Sequence, residues 1–504
     1  MIAPRSPGRR PVALATGPLL FLLFILLLDL DPANRQITTM AAVAVWMAAW
    51  WITEVIPLGM TALLPVVVFP LTGIMSGKEV APVYVNDIIF LFVGGFMIAL
   101  AMKRWNLHKR IALAILARTG KSPPLIVLGF MAATWFLSMW ISNTATTMMM
   151  VPIALAIIMK LEESLDRKTL SRFSVGLLLA VAYSSSIGGI ATLVGTPPNL
   201  AFVKIFATHF PEAPEISFSQ WFAFALPPSV VFLAVVWGFV TLRFFRRTPF
   251  RVTTGVFRNE YEKMGPMTFE EKIVLADFVL LALLWLTRSD LAIGSVVIRG
   301  WSSLLMVPEF VDDGTVAIAM AVILFLIPSK KDPSTTVLNW KTAVQLPWNI
   351  VLLFGGGFAL AAGFVRTGLS GWLGNQLEVA SVLTPFFIVV LACTLVTFLT
   401  ELTSNTATAQ VILPIIASLA IAIHVNPLLL MLPVTLSASC AFMLPVATPP
   451  NAIVFGTQRL KVADMARAGL FVNLTGVVII PLAVFTLALP LFGIDLGSLP
   501  AWAQ

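Results

Sequence analysis

The sequence predicts an all-α polytopic membrane protein with about eleven transmembrane helices plus two re-entrant hairpins, arranged as two inverted repeats. Three observations lead there. Of 504 residues, 59% are apolar and 11% charged, and the mean hydropathy of +0.95 lies far outside the range of globular chains in water. Apolar stretches follow one another with only short polar gaps, and many approach the roughly 20 residues that cross a bilayer. The pentapeptide Ser-Asn-Thr-Ala-Thr occurs twice, at 142–146 and 404–408.

The elements follow in order. The first apolar run, near 18–30, comes after Arg5, Arg9 and Arg10. No small-residue cleavage site follows Leu30, so this run is read as a first span and not as a secretory signal. Runs near 37–51, 56–74, 85–102, 123–160, 173–203 and 218–242 complete the first half; runs near 273–287, 315–328, 348–365, 383–424, 427–456 and 468–492 make the second. Loops rich in Lys and Arg stay cytoplasmic, which places the N-terminus and the loops 103–121, 243–272, 330–341 and 459–467 inside. The segment 288–313 sets Arg288 and Arg299 against Asp290, Glu309, Asp312 and Asp313, and no basic residue follows Phe492. Both read as outside. The expected location is the cell inner (plasma) membrane, multi-pass, with the N-terminus cytoplasmic and the C-terminus periplasmic or extracellular. The net charge of +8 reflects this loop bias and is no nucleic-acid footprint. Cys393 and Cys440 sit inside apolar runs and suggest no disulfide framework.

The duplicated pentapeptide is part of a longer repeat. At the same offset of 262 positions, Gly94-Gly95-Phe96 falls on Gly356-Gly357-Phe358, Ile88 on Ile350, Leu107 on Leu369, Ser138 on Thr400 and Pro152 on Pro414. A second pair, Gly195-Thr196-Pro197-Pro198-Asn199 and Ala447-Thr448-Pro449-Pro450-Asn451, recurs at an offset of 252. The order is kept while an intervening loop loses ten residues. With the N-terminus inside, the C-terminus outside and one span left over, each half makes an odd number of crossings, so the halves are inverted. Inverted repeats with interrupted hydrophobic segments at matching places point to a transporter's binding site.

The interruptions carry the chemistry. Six of ten residues from Ser138 to Thr147 are polar, and the flanking runs 124–137 and 148–159 are too short to span alone. A helix that enters halfway, turns and leaves fits both copies, and such backbone is tolerated at membrane depth only where protein buries it or water fills a cavity. At Thr196-Pro197-Pro198 and Thr448-Pro449-Pro450 the paired prolines remove amide donors and force the preceding residue out of the helical region. Carbonyls freed there can bind a cation. A lone Ser-Asn-Thr in a membrane helix is ordinarily a packing or capping feature; duplication beside duplicated breaks argues for more. Asn199 and Asn451 are read as helix caps, and the Gly94 and Gly356 pairs as close helix packing sites.

Charge placement says what is bound. The stretches 122–159, 173–203 and 380–457 hold all four interruptions and contain no Lys or Arg, one carboxylate, Glu401, and one imidazole, His424. A cation-only site calls for several carboxylates, whereas an anion site without Arg needs helix N-termini and bound cations to neutralise its ligand. Hydroxyls, Asn carbonyls and backbone carbonyls are hard oxygen ligands suited to sodium. Proton coupling would rest on Glu401 alone, and the first copy has Met139 at the matching place, so sodium is favoured over protons.

The two Ser-Asn-Thr motifs, the two Thr-Pro-Pro-Asn breaks and Ile52-Thr53-Glu54-Val55-Ile56-Pro57-Leu58 together resemble the divalent anion/sodium symporter family, the INDY-type di- and tricarboxylate transporters, over nearly the whole chain. The resemblance implies a homodimer whose protomers each have a scaffold, 1–120 and 248–378, and a transport domain, 121–247 and 379–504, that moves like an elevator. By motif position it implies a first sodium site at Ser138, Ser142, Asn143 and Gly195 and a second at Thr400, Thr403, Asn405 and Ala447. Carboxylate contacts are implied at Asn143, Thr144, Thr196, Ser404, Asn405, Thr406 and Thr448. The residues 103–118 would form a solvated or lipid-facing surface helix joining the two parts.

The expected activity is sodium-coupled uptake of C4-dicarboxylates such as succinate, malate and fumarate, with co-transported sodium ions and no organic cofactor. A dicarboxylate exchanger, a citrate or sulfate carrier of the same architecture and, more remotely, an anion channel are the alternatives. An enzyme finds no support: His108, His209 and His424 lie far apart, and Gly120-Lys121-Ser122 lacks the first glycine of a phosphate loop, since Ile115 stands there.

Overall fold

The computed structural model describes residues 10–120, 122–162, 164–245, 255–293, 296–377 and 382–504. Arg5, Arg9, Lys121, the arginines of 246–254 and the expected domain borders at 121, 247/248 and 378/379 lie outside them. Among the described residues eight helices are long and apolar enough to cross a membrane, fewer than the eleven or so expected. The difference lies in apolar helices of 10–17 residues, among them Pro11–Leu27 and Asp313–Leu326, which fall short of a full span. The expected interruptions divide the longer runs. Residues 427–456 form one apolar run, yet they fold as Pro427–Ser437, a non-helical stretch and Pro449–Phe455. The run near 123–160 is likewise two helices, Pro123–Ser138 and Asn143–Glu162. A small antiparallel hairpin, Leu291–Ile293 paired with Val296–Ile298, is the departure from an all-helical chain.

Both copies build the same series. A long helix, Asp87–Arg104 or Trp348–Thr367, leads into a shorter one, Leu107–Ala117 or Leu369–Leu377. A hairpin follows, Pro123–Ser138 with Asn143–Glu162 or Pro385–Thr400 with Asn405–Ala422. Then comes a broken helix, Arg167–Ile190 with Pro197–His209 or Pro427–Ser437 with Pro449–Phe455, and a last long helix from Phe218 or Val462. Proline opens both hairpins and every post-break helix, at the first-turn positions whose N–H would be unpaired in any case. The paired prolines therefore start the next half-helix, and the unwound backbone precedes them.

Arg167–Ile190 is buried from Phe173 to its end and packs against both arms of the first hairpin. Its small residues permit this, since a Cβ at Gly188 would collide with the Trp135 backbone. The predicted close-packing glycines behave as expected: a Cβ at Gly94 would lie 2.6 Å from the Ala317 backbone, and one at Gly356 2.5 Å from the Ala62 Cβ. The two copies interlock. Pro197–His209 packs on Asn405–Ala422, and Pro449–Phe455 packs on Asn143–Glu162, so each post-break helix lies against the outgoing hairpin helix of the other repeat.

One face of the segment 103–118 is buried, while Lys103 and Arg118 stay exposed. Leu107–Ala117 starts after a left-handed turn at Asn106 and buries Leu107, Ala112, Leu113 and Leu116. Arg110 is buried with them and grips Glu271 through two bonds, Nε to Oε1 at 2.9 Å and Nη2 to Oε2 at 3.0 Å. Charges at helical spacing do not reveal that one of them has a buried partner 161 positions away.

Candidate functional site

The first hairpin turns at residues 139–142, where its arms meet. There the Ser138 hydroxyl donates to Asn143 Oδ1 at 2.6 Å. In the second copy the Thr400 hydroxyl donates to Asn405 Oδ1 at 2.8 Å. Each outgoing helix starts at its asparagine because the turn before it is extended; Ser404 has φ −66° and ψ 132°, and its hydroxyl caps nothing. Ser142 Oγ accepts the Ala145 N–H at 3.3 Å. Thr144 is half-buried and Thr406 buried in the first turns of these helices. Thr403 is turned elsewhere, donating to the Leu399 carbonyl at 3.0 Å and meeting the Thr408 hydroxyl.

The breaks lie against the turns. The Asn143 amide is in contact with the backbone at Gly189, where a Cβ would fall 2.5 Å from its Oδ1. A Cβ at Gly195 would fall 2.6 Å from the Gly189 carbonyl oxygen. Ser138, Asn143 and Gly195, expected at one cation site, are thus gathered around Gly189. In the second copy Thr400 also donates to the Ala438 carbonyl at 3.0 Å, joining its turn to its break. Ala447 is buried at the far end of that break. Thr196 and Thr448 are buried N-caps; Thr448 Oγ1 accepts the Asn451 N–H at 3.3 Å, while Thr196 caps through no side-chain bond. Among the described residues no hydrogen bond joins the two Ser-Asn-Thr motifs directly.

Asn199 and Asn451 do not N-cap the helices that follow the prolines; their side chains reach back to the preceding break. Asn199 Nδ2 donates to the carbonyls of Gly189 at 3.2 Å, Ile190 at 3.4 Å and Thr192 at 2.7 Å. Asn451 Nδ2 donates to the carbonyls of Ala441 at 3.1 Å and Leu444 at 3.0 Å. At the repeat's own offset Gly189 and Thr192 correspond to Ala441 and Leu444, so one clamp is built twice. The carbonyls it serves are those a broken helix leaves without an i+4 donor. Part of the freed oxygen is therefore already spoken for, which proline spacing alone cannot disclose.

Glu401 is buried, 3% exposed, and four donors converge on it. Oε1 accepts from the Phe442 and Met443 amides at 2.6 and 2.8 Å and from Asn473 Nδ2 at 2.8 Å, and Oε2 accepts from the Leu444 amide at 3.0 Å. Its counterpart Met139 offers a backbone carbonyl to the Thr192 hydroxyl. Thr192 corresponds to Leu444, so the same two positions are tied in both copies, by hydroxyl to carbonyl in one and by amide to carboxylate in the other. No charged side chain other than Glu401 lies in these breaks. Lys204, midway along Pro197–His209, is bonded to Asp87, and Arg459, after Pro449–Phe455, to Glu162. Among the described residues no cluster of three His, Cys, Asp or Glu side chains exists that could hold a metal ion. The donor set of the site is hydroxyl, amide and carbonyl oxygen.

Residues 14–494 match the family model described as the sodium:sulfate symporter transmembrane region. The chain belongs to the sodium:sulfate symporter family. A sodium-dependent dicarboxylate transporter, SdcS, of Staphylococcus saprophyticus is 44% identical over 491 residues, covering 96% of this chain and 92% of that protein. SdcS of Staphylococcus aureus strain MRSA252 is 43% identical over 502 residues, covering 98% and 94%. The crystal structure of the YdaH transporter of Alcanivorax borkumensis matches with a TM-score of 0.50 at 14% identity, over 85% of this chain and 90% of that one, which speaks to the fold alone. The symporter-family chain is accordingly a multi-pass membrane protein of a transporter family, not an enzyme.

In this family member Thr192 and Asn473 also hold the breaks, and sequence pattern singles them out weakly. Asn473 is the one amide side chain in the apolar run 468–492, beside the hydroxyls of Thr475 and Thr486, and is fully buried. Thr192 is one hydroxyl among many.

Proposed function

We propose that this chain couples inward sodium flux to uptake of C4-dicarboxylates, succinate, malate or fumarate, by an elevator mechanism. The observation that carries the reading is the matched pair of hydroxyl–asparagine contacts, Ser138–Asn143 and Thr400–Asn405, each beside an unwound break in a region without Lys or Arg. Sodium is cargo here. Oxygens already 2.6 and 2.8 Å apart share one hydroxyl proton in each copy, and a hydroxyl that rotates its proton away presents two hard oxygens to a cation. The first site takes Ser138, Ser142, Asn143 and Gly195, and the second Thr400, Thr403, Asn405 and Ala447. Thr403 has to turn from Leu399 to join it.

Two bound cations supply the full positive charge that a dianion needs where no cationic side chain exists. One Ser-Asn-Thr then meets each end of the substrate. Asn143 and Asn405 offer Nδ2 donors, Thr144, Ser404, Thr406, Thr196 and Thr448 offer hydroxyls, and the first-turn N–H groups of Asn143–Glu162 and Asn405–Ala422 point the positive end of a helix dipole at the carboxylates. The hairpins are read as re-entrant, the repeats as inverted, and the chain as a homodimer with its N-terminus cytoplasmic and its C-terminus outside. Segments 121–247 and 379–504 form the transport domain, which moves against a scaffold of 1–120 and 248–378.

Purified protein in liposomes, given a panel of labelled dicarboxylates, citrate and sulfate with and without an inward sodium gradient, tests the activity. Sodium-driven accumulation of succinate is the expected result. Exchange without sodium identifies an exchanger, and preference for citrate or sulfate corrects the substrate class. Native mass spectrometry in detergent checks the dimer.

A further inference from the structure

Asn199 and Asn451 form a duplicated device that the Ser-Asn-Thr motifs do not account for. Both side chains are fully buried. In both, Nδ2 is anchored on matching carbonyls of the preceding break. In both, Oδ1 has no hydrogen-bond partner. An anchored amide nitrogen fixes where its geminal oxygen points, so each Oδ1 is held rigidly without a donor. A buried amide oxygen left unpaired is destabilising. One such atom is an accident of packing; the same atom orphaned at the same place in both repeats indicates a ligand.

The surroundings say what kind. Asn199 Nδ2 rests on the carbonyl of Gly189, the residue around which Asn143 and Gly195 gather, with Cβ-excluding approaches of 2.5 and 2.6 Å. No Lys or Arg stands within either break to donate to the oxygen. We infer that Asn199 Oδ1 and Asn451 Oδ1 are sodium ligands, one at each break, oriented by the clamp their own Nδ2 makes. This rests on the sodium-coupled reading above and adds to it one oxygen per repeat. A neutral amide oxygen suits a hard monovalent cation, and a ligand that also closes the break lets cation binding stiffen the unwound backbone.

The test is a sodium titration of the melting temperature of the full-length protein in detergent, with choline replacing sodium at constant ionic strength. If the wild-type protein shows no sodium-dependent rise, the sodium-coupled reading itself fails. Given a rise, Asn199→Ala and Asn451→Ala should each raise the sodium concentration for half-maximal effect by about tenfold or more. A merely structural role, or a water as the ligand, predicts a lower melting temperature in choline with an unchanged sodium midpoint, and that result in either variant overturns the assignment for its repeat. Should the alanine variants fail to fold, Asn199→Asp and Asn451→Asp decide. A protonated carboxyl donates its one proton to one of these carbonyls and keeps an oxygen in place, so a retained sodium response is expected. A folded aspartate variant blind to sodium overturns the inference.

Discussion

Asn143 and Asn405 each accept a hydroxyl bond at Oδ1 and keep both Nδ2 protons for a second partner, so one side chain can bridge a cation and a carboxylate. Asn143→Ala and Asn405→Ala should each abolish sodium-driven uptake while leaving the elution volume on size exclusion unchanged; wild-type uptake by either variant would remove it from the site. Glu401 belongs to a different class of residue. All its bonds go to its own repeat's break and to Asn473, and Met139 fills its place in the other copy. Glu401→Gln keeps an acceptor for three of the four donors and turns an amide against Leu444 N–H, a cost of about 1–3 kcal/mol. The variant should melt earlier yet retain sodium-dependent uptake. Uptake that loses a proton-gradient dependence shown by the wild type would instead make Glu401 the coupling group. The sequence identified Glu401 as the lone carboxylate of these stretches, but its four donors come from residues 41 to 72 positions away and are visible only in the fold.

At the scale of elements, the helix contacts that matter are tight or ionic. A methyl group at Gly94 or Gly356 would meet backbone or Cβ atoms of Ala317 or Ala62 at 2.5–2.6 Å, and neither helix can yield to a flexible tip. Gly94→Ala and Gly356→Ala should therefore lower the melting temperature, with overpacking costs of about 1–3 kcal/mol. The Arg110–Glu271 pair fastens Leu107–Ala117 to the start of Phe269–Leu286, and Gly265 also accepts from the guanidinium at 2.8 Å. Removing one member leaves a buried charge, which costs about 3–5 kcal/mol, so Arg110→Ala should greatly reduce the yield of folded protein. A variant as stable as the wild type would show that Glu271 finds water. Glycine pairs are legible from repeat matching because small residues at membrane interfaces have few other uses. The ion pair is not, since each partner alone looks like an ordinary loop charge.

For the whole molecule the repeat geometry constrains the energetics. Without Lys or Arg at the breaks, the charge compensating a dianion has to travel with it. Net inward positive charge calls for roughly three or more sodium ions per dianion, and each net charge is worth about 2.3 kcal/mol per 100 mV. Two sodium ions with a dianion are electroneutral. The family resemblance implies an excess of cations, so with a third sodium ion an inside-negative potential should accelerate uptake; indifference to voltage would mean two-ion coupling or exchange, which counterflow from preloaded sodium-free liposomes separates. Ion pairs also cross the expected boundary between transport domain and scaffold, Lys204 with Asp87 at 2.9 Å and Glu215 with Arg288 at 2.6 Å. An elevator movement has to break them. With Lys204→Cys and Asp87→Cys combined, a short thiol cross-linker should stop uptake and reduction of a cleavable linker should restore it. Cys393 and Cys440 are buried and leave the reagent to the new pair. Unimpeded uptake by the cross-linked protein would exclude relative motion at that contact.

The sequence alone determined that this is a multi-pass helical protein, that its halves repeat, and where each half interrupts its helices. Hydropathy and self-similarity are summed over many residues, so no single contact decides them. Only the tertiary structure decided how the interruptions are stabilised: that Asn199 and Asn451 clamp carbonyls of the preceding break instead of N-capping the helices after the prolines, that Glu401 holds amides, and that Arg110 is buried. Each of these depends on which donor a folded backbone brings within about 3 Å of which acceptor, and a chain read in one dimension carries no such distance.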